Sequence, residues 1–289
     1  MDDVLSGVDD ERLALATQEN LFALFRAMAS ALGGDLVERH DLCMHHAPVM
    51  NPMFKGVWAT HLTEDEVDGA VDEVLGWFRE RDAPFVFWWT GLSTMPADLG
   101  ERLTARGFRS MAEQSDDFPG IRASERGSPC MVADLAVMDE ASTREVPDGF
   151  TIEPVRDEDD LVAFVDVLVE AMTIPLPVAD AWAQAARIAG VGNTPWRMYL
   201  GRLDGEVVAT NMLFNGAGVA SVYGVATRPA HRGRGIGGAI TLAPLLEARD
   251  EGYAHAVLFS SLEGIHAYER IGFRMTSRWI DRYLWMRPD

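Results

Sequence analysis

The chain has 289 residues, above the roughly 100–200 of a typical single domain, so two domains are expected. Hydrophobic residues at 48% and charged residues at 24%, without a low-complexity block, exclude fibrous and disordered classes. The formal charge of −20 argues against nonspecific binding to nucleic acid or anionic membranes and favours a cationic small molecule or a basic partner.

No apolar run approaches the roughly 18–20 residues that span a bilayer, and Met1-Asp2-Asp3-Val4 lacks the basic flank of a signal peptide, so the expectation is a cytoplasmic protein. Cys43 and Cys130 lie far apart, without a CxxC or CxxH neighbour, and read as reduced structural thiols, with neither a zinc site nor a disulfide expected. Residues 1–148 hold 12 basic and 28 acidic side chains, whereas residues 149–289 hold 13 and 17, so a polyanion fits the second half better.

In chain order, the pattern predicts a helix near 10–32, strands near 36–44 and 54–61, a helix near 64–80, a strand at Pro84–Trp89 and a helix near 96–106. The polar stretch Val137–Gly149, with Pro147 and Gly149, reads as a linker, and the division falls at 1–148 and 149–289. Beyond it, Phe150–Val155 alternates like a strand, and Asp157 precedes a helical face at Leu161, Phe164, Val165, Leu168 and Val169. Strands follow at Trp196–Arg202, Val207–Phe214, Val219–Ala226 and Ala254–Ser260, with a hairpin turn at Asp204-Gly205, and helices at 179–189, 235–251 and 262–271. The result is a mixed α/β sheet. The strand Phe85–Trp88, a helix and Gly107-Phe108-Arg109 echo Val257–Phe259, a helix and Gly272-Phe273-Arg274, which points to an internal duplication.

The most informative segment is Val225–Gly238, where a strand runs through a glycine-rich turn into a helix. Unpaired amides and the positive end of a helix dipole meet there, the makings of a phosphate cradle. Glycine keeps side chains away from the amides, and Arg232 and Arg234 add positive charge. A Walker loop is excluded, since Lys55 is the chain's only lysine. Gly233, Gly235 and Gly238 spell GxGxxG, but six residues separate Gly233 from the strand and the region near 258 lacks the required acid, so a dinucleotide fingerprint fits poorly. The remaining pattern is Arg/Gln-x-x-Gly-x-Gly/Ala, filled by Arg232, Gly235 and Gly237.

This segment resembles motif A of the GNAT superfamily (Gcn5-related N-acetyltransferases), and the resemblance extends over residues 149–289, through the closing Tyr268–Phe273. It implies two GNAT-like domains in tandem, each a mostly antiparallel sheet flanked by helices, and acetyl-CoA as co-substrate. It also implies that the strand before the turn splays and binds the pantetheine arm through Val225, Ala226 and Thr227. Arg232, Gly233, Arg234, Gly235, Ile236, Gly237 and Gly238 would then hold the pyrophosphate. Acyl transfer from a thioester needs a donor for the oxyanion, expected at the Val225 amide, and a proton for the departing thiolate, expected from Tyr268. Ser261 stands where the family often has a pantetheine-binding Asn. No carboxylate lies in Val219–Ala226, so the general base stays unassigned, with Tyr223, Glu263 and His266 as candidate water relays.

In the first half the place of the glycine loop is taken by Thr60–Glu66, where Thr63 and Glu66 form a capping box and three carboxylates would repel a pyrophosphate. Leu103 stands in the place of Tyr268. Residues 1–148 therefore read as a degenerate GNAT-like domain that packs on the active one. Trp58, Trp77, Trp88 and Trp89 are expected in its core and His45-His46 in a loop. The expected activity is acetyl transfer to a primary amine, cationic in character, of a small molecule or protein, by a monomer or homodimer. The other reading is an acyl-CoA sensor without catalysis.

Overall fold

A computed structural model describes residues 4–111, 128–138, 145–261 and 264–288. The chain forms two compact units, Met1–Leu24 with Pro129–Ser277 (unit one) and Phe25–Ser128 with Arg278–Asp289 (unit two). The units therefore do not part at residue 148, and each draws on both halves of the sequence.

Helix α1, Asp10–Ala31, begins in unit one and ends in unit two. In unit two the predicted strand at 36–44 is a hairpin, β1 (Asp35–Glu38) and β2 (Cys43–His46), and β2 pairs antiparallel with β3 (Lys55–Trp58). Helix α2 (Val67–Arg79) buries Val67, Val71, Val74, Leu75 and Phe78 at helical spacing. It leads to β4 (Phe85–Thr90), which pairs parallel with β3. Helix α3 (Leu99–Ala105) and the short β5 (Arg109–Ser110) follow.

The chain then enters unit one as β6, Ser128–Asp134, a strand that the hydrophobic pattern did not reveal. All but its end residues are buried, so it lacks the alternation that marks a strand with one wet face. Next come β7 (Phe150–Pro154), α4 (Glu158–Met172), α5 (Leu176–Ala189), β8 (Arg197–Leu203), β9 (Glu206–Gly216) and β10 (Val219–Thr227). The Asp157 carboxylate accepts from Asp160 N–H and starts α4, as its sequence position predicts. Asp204 and Gly205 both take positive φ, 51° and 88°, the turn required between β8 and β9. Helix α6 (Ile236–Asp250), β11 (His255–Phe259) and α7 (Ile265–Glu269) complete the run. Strands β7 to β10 pair antiparallel in order, β10 pairs parallel with β11, and β11 antiparallel with β6. The final strand β12, Arg274–Met286, leaves unit one and pairs along β4 in unit two, from Asp281 opposite Thr90 to Met286 opposite Phe85.

The units repeat one scheme. In each, an antiparallel pair is followed by a parallel one, β2–β3–β4 and β9–β10–β11. In each the last helix ends alike: Phe108 N–H returns to Leu103 O at 3.0 Å and Phe273 N–H to Tyr268 O at 3.1 Å, around Gly107 and Gly272 at φ 86° and 99°. Leu103 thus occupies the geometric place of Tyr268.

His45 and His46 belong to strand β2 and not to a loop. His45 is fully buried, stacked on Phe25, with Nε2 donating to Met53 O at 3.2 Å and Nδ1 accepting from Trp58 Nε1 at 3.2 Å. Trp58, Trp88 and Trp89 are core residues of the same unit, and no cluster of metal ligands occurs among the described residues. Burial lowers the His45 pKa from 6.5 to about 4, so the unfolded chain takes up a proton below pH 6.5 that the fold excludes until about 4. Its contribution is complete above 6.5 and is lost as pH falls towards 4, roughly 3 kcal/mol in all. Thermal unfolding across this window should show a steep acid-side loss of stability that is shallower in His45→Gln; equal slopes would contradict the assignment.

Candidate functional site

Strands β10 and β11 pair only at Ala220 with Ala256 and at Ser221 with Val257. Beyond these residues β10 continues to Thr227 against β9, and β11 continues to Phe259 against β6, so the two part into a wedge. On β10 the register passes from Tyr223 opposite Met212 to Ala226 opposite Thr210, leaving Gly224 and Val225 against the single residue Asn211. This is a β-bulge, with Gly224 at φ 57°. Its effect on side chains is direct: Val222 and Val225, three apart, both pack on the α6 side, where unbroken alternation would have separated them.

Two side chains of β9 hold the bulge. Thr210 Oγ1 donates to Gly224 O at 2.9 Å, and Asn211 Nδ2 donates to Ile240 O at 2.5 Å. Ile240 is four residues before Pro244, which lacks the N–H that would occupy that carbonyl in an unbroken helix. The proline inside α6 therefore opens an acceptor, and Asn211 from the strand opposite the bulge fills it.

After Thr227 the chain makes a 3₁₀ turn at Pro229–His231 and then a loop in which Gly233 and Gly235 take φ 77° and 80°. Gly235 caps α6 in the left-handed region without a side-chain hydrogen bond. The first amide of the helix to close back is Ala239, on Gly235 O at 3.1 Å, so the preceding amides from Gly233 to Gly238 find no acceptor among the described residues. A Cβ on Gly237 would meet only Thr227 Oγ1, at 3.5 Å, so this position is bare by choice of residue and not by steric need.

The two arginines of the loop differ. Arg232 donates from Nε to Thr227 O at 3.1 Å and from Nη2 to Ala171 O at 2.5 Å, tying the loop to the last turn of α4. Arg234 is exposed, with Nη1 3.4 Å from His231 Nδ1. Arg228, outside the predicted set, donates from Nε to Val207 O at 2.8 Å and pairs with Glu170.

On the far side of the wedge, Tyr268 sits on α7, half-buried against the α6-side core and edge-on to Phe273 at 5.8 Å. Burial pushes its pKa up to about 12, so the hydroxyl keeps its proton at neutral pH. Ser261 is exposed, and its Oγ accepts from Gly264 N–H at 3.2 Å, shaping the start of α7. His266 faces Glu269 at 2.9 Å on the exposed side of the same helix. Glu263 lies outside the described residues. Val225, Ala226 and Thr227 lie on the stretch of β10 beyond its pairing with β11, and Val225, Ile236 and Tyr268 pack in the same α6-side core.

In unit two the corresponding helix start is closed. Thr63 N–H and Oγ1 both reach the Glu66 carboxylate at 2.8 Å, a capping box over a 3₁₀ turn, Glu64–Glu66, that carries three carboxylates. Sequence reasoning found this box but missed Asn211 and Asn20, whose partners lie far along the chain.

Residues 161–273 match the family described as Acetyltransferase (GNAT) family. Among solved structures, the chain is similar to a GCN5-related N-acetyltransferase from Kribbella flavida, with 19% identity over 98% of each chain and a TM-score of 0.67. A tandem GNAT protein from the clavulanic acid biosynthesis pathway is 15% identical over 99% of this chain and 98% of its own, TM-score 0.59. A GCN5-related N-acetyltransferase from Sphaerobacter thermophilus is 17% identical over 100% and 96%, TM-score 0.58. No curated protein matches the sequence. Residues 161–273 thus carry a domain of the GNAT acetyltransferase family, and along its whole length the chain shares the fold of solved GNAT structures, including that of a tandem example.

Proposed function

We propose that unit one transfers an acetyl group from acetyl-CoA to a primary amine of a small molecule or protein, directly, with both substrates bound. The observation that carries this reading is the wedge between β10 and β11, which opens at a bulge and ends at a bare helix N-terminus. The amides from Gly233 to Gly238 and the exposed Arg234 suit a pyrophosphate, where a helix dipole and unpaired donors favour an anion. The parted edge of β10, Val225 to Thr227, suits the amide-bearing pantetheine arm.

Acetyl-CoA, when bound, supplies the activated thioester. Val225 N–H, freed from the ladder by the bulge, is the donor for the carbonyl oxygen as charge builds there. Tyr268 holds a proton for the departing sulfur, and its raised pKa keeps that proton in place across the neutral range. No carboxylate of β10 takes the proton of the incoming ammonium, and this favours acceptors that arrive as free amines. The same lack is the one observation favouring an acyl-CoA sensor without turnover. Unit two, with its helix start filled by Thr63 and Glu66, is read as not binding coenzyme.

Thiol release from acetyl-CoA with a panel of primary amines separates the enzyme, which turns over, from the sensor, which only binds. Tyr268→Phe should lower kcat by about a hundredfold with little change in coenzyme affinity, and should remove any fall in rate on the alkaline side as pH nears 12. Unchanged kcat would take Tyr268 out of the mechanism. Gly237→Glu introduces a carboxylate at an unstrained helical position and should weaken coenzyme binding by on the order of a hundredfold while circular dichroism stays unaltered. Calorimetry showing wild-type affinity in that variant would overturn the cradle.

A further inference from the structure

Strand β10 has two faces at the wedge. Ala220, Val222 and Val225 pack towards α6, the side that holds the bare helix start and Tyr268. Ser221 and Tyr223 alternate to the opposite face. There Tyr223 meets α1, whose residues up to Leu24 belong to unit one. Its Oη donates to Asn20 Oδ1 at 2.8 Å.

The direction of that hydrogen bond is fixed by the rest of Asn20. Its Nδ2 lies 2.9 Å from Gly216 O, 3.3 Å from Val219 O and 3.5 Å from Phe214 O. Turning the amide over would set Oδ1 against three carbonyl oxygens, so Nδ2 must face them and Oδ1 must face Tyr223. Asn20 is fully buried, and this arrangement satisfies both ends of its amide. An acceptor at Oδ1 demands a donor, so the single hydroxyl proton of Tyr223 is committed to Asn20. What remains on Oη is acceptor capacity, shared with the neighbouring Ser221 hydroxyl. Burial raises the Tyr223 pKa, which keeps the proton on the oxygen and preserves the arrangement. On the same face the buried Ser221 hydroxyl neighbours Tyr223 Oη.

Tyr223 stands just before the bulge and two residues beyond the last pairing of β10 with β11, where the wedge begins. With the α6 face taken by the coenzyme, an acceptor must come to the thioester from the face that Tyr223 lines. We propose that Tyr223 Oη receives an N–H of the acceptor amine, and that Asn20 is the positioning residue that makes Tyr223 an acceptor only. The arrangement selects substrates that present a hydrogen-bond donor beside the attacking nitrogen and rejects those that present a carbonyl or carboxylate there. It rests on the acetyltransferase reading of unit one given above.

The test uses the full chain and three probes, butylamine, putrescine and an uncharged-flank lysyl peptide, each with acetyl-CoA. Tyr223→Phe should raise the amine KM about five- to tenfold with a smaller effect on kcat and none on coenzyme affinity, the scale of one lost hydrogen bond. Asn20→Ala frees the Tyr223 proton and should raise the same KM, but not further in a Tyr223→Phe background. Chemical unfolding of the four proteins of this cycle should show a coupling between the two sites, whether or not each variant is active. Turnover with an unmoved amine KM in Tyr223→Phe, or additive effects in the cycle, overturns this proposal and leaves the acetyltransferase reading intact. Coenzyme binding with neither turnover nor calorimetric binding of any probe overturns both.

Discussion

The bulge at Gly224 and Val225 is the constraint on which the candidate site rests. Removing two residues from the ladder releases an amide, moves Val225 to the α6 side and lets β10 leave β11, all through one register step. Such a break needs its polar groups satisfied, and β9 does this with adjacent residues. Thr210 answers Gly224 O, while Asn211 reaches Ile240 O, the carbonyl vacated by Pro244. A buried carbonyl left bare costs roughly 1–3 kcal/mol, so proline and asparagine are best understood as a pair. Together they bind the bulged sheet to the helix whose N-terminus carries the unpaired amides.

The two units present one scaffold with an open helix start in one and a capped helix start in the other. Both place a helix after the strand that precedes a parallel pair, and both close their last helix around a Gly-Phe step. The difference lies in a few residues at the helix start. Glycines leave the amides of α6 exposed, whereas before α2 the Glu66 carboxylate takes the Thr63 N–H and three acidic side chains surround the turn.

What could be read from the sequence was what short-range chemistry dictates. The Asp157 cap, the Asp204-Gly205 turn, the Thr63–Glu66 box and the glycine loop each depend on neighbours within a few positions, and each was legible. β6 and β12 were not, because one is buried on both faces and the other divides its pairing between the units. The boundary expected at residue 148 rested on the polar stretch alone, whereas the two compact units are each assembled from separated segments. Arg232 was legible as a charge but not as a strut, since Ala171 O is brought to it only by the packing of α4. Asn20 carried no signal at all: an amide beside Gln18 and Glu19 on an amphipathic helix becomes informative only when Gly216, Val219 and Tyr223 are seen around it.

The crossing of strands bears on how the protein is made. Phe85 emerges from the ribosome long before Met286, its partner in the ladder, so β4 waits with an open edge until β12 has been made. Unit one, by contrast, receives β6 early and has its neighbour β11 available before the last strand appears. The sheet of unit two is thus begun first but gains its β4–β12 ladder only after the segments of unit one have been made.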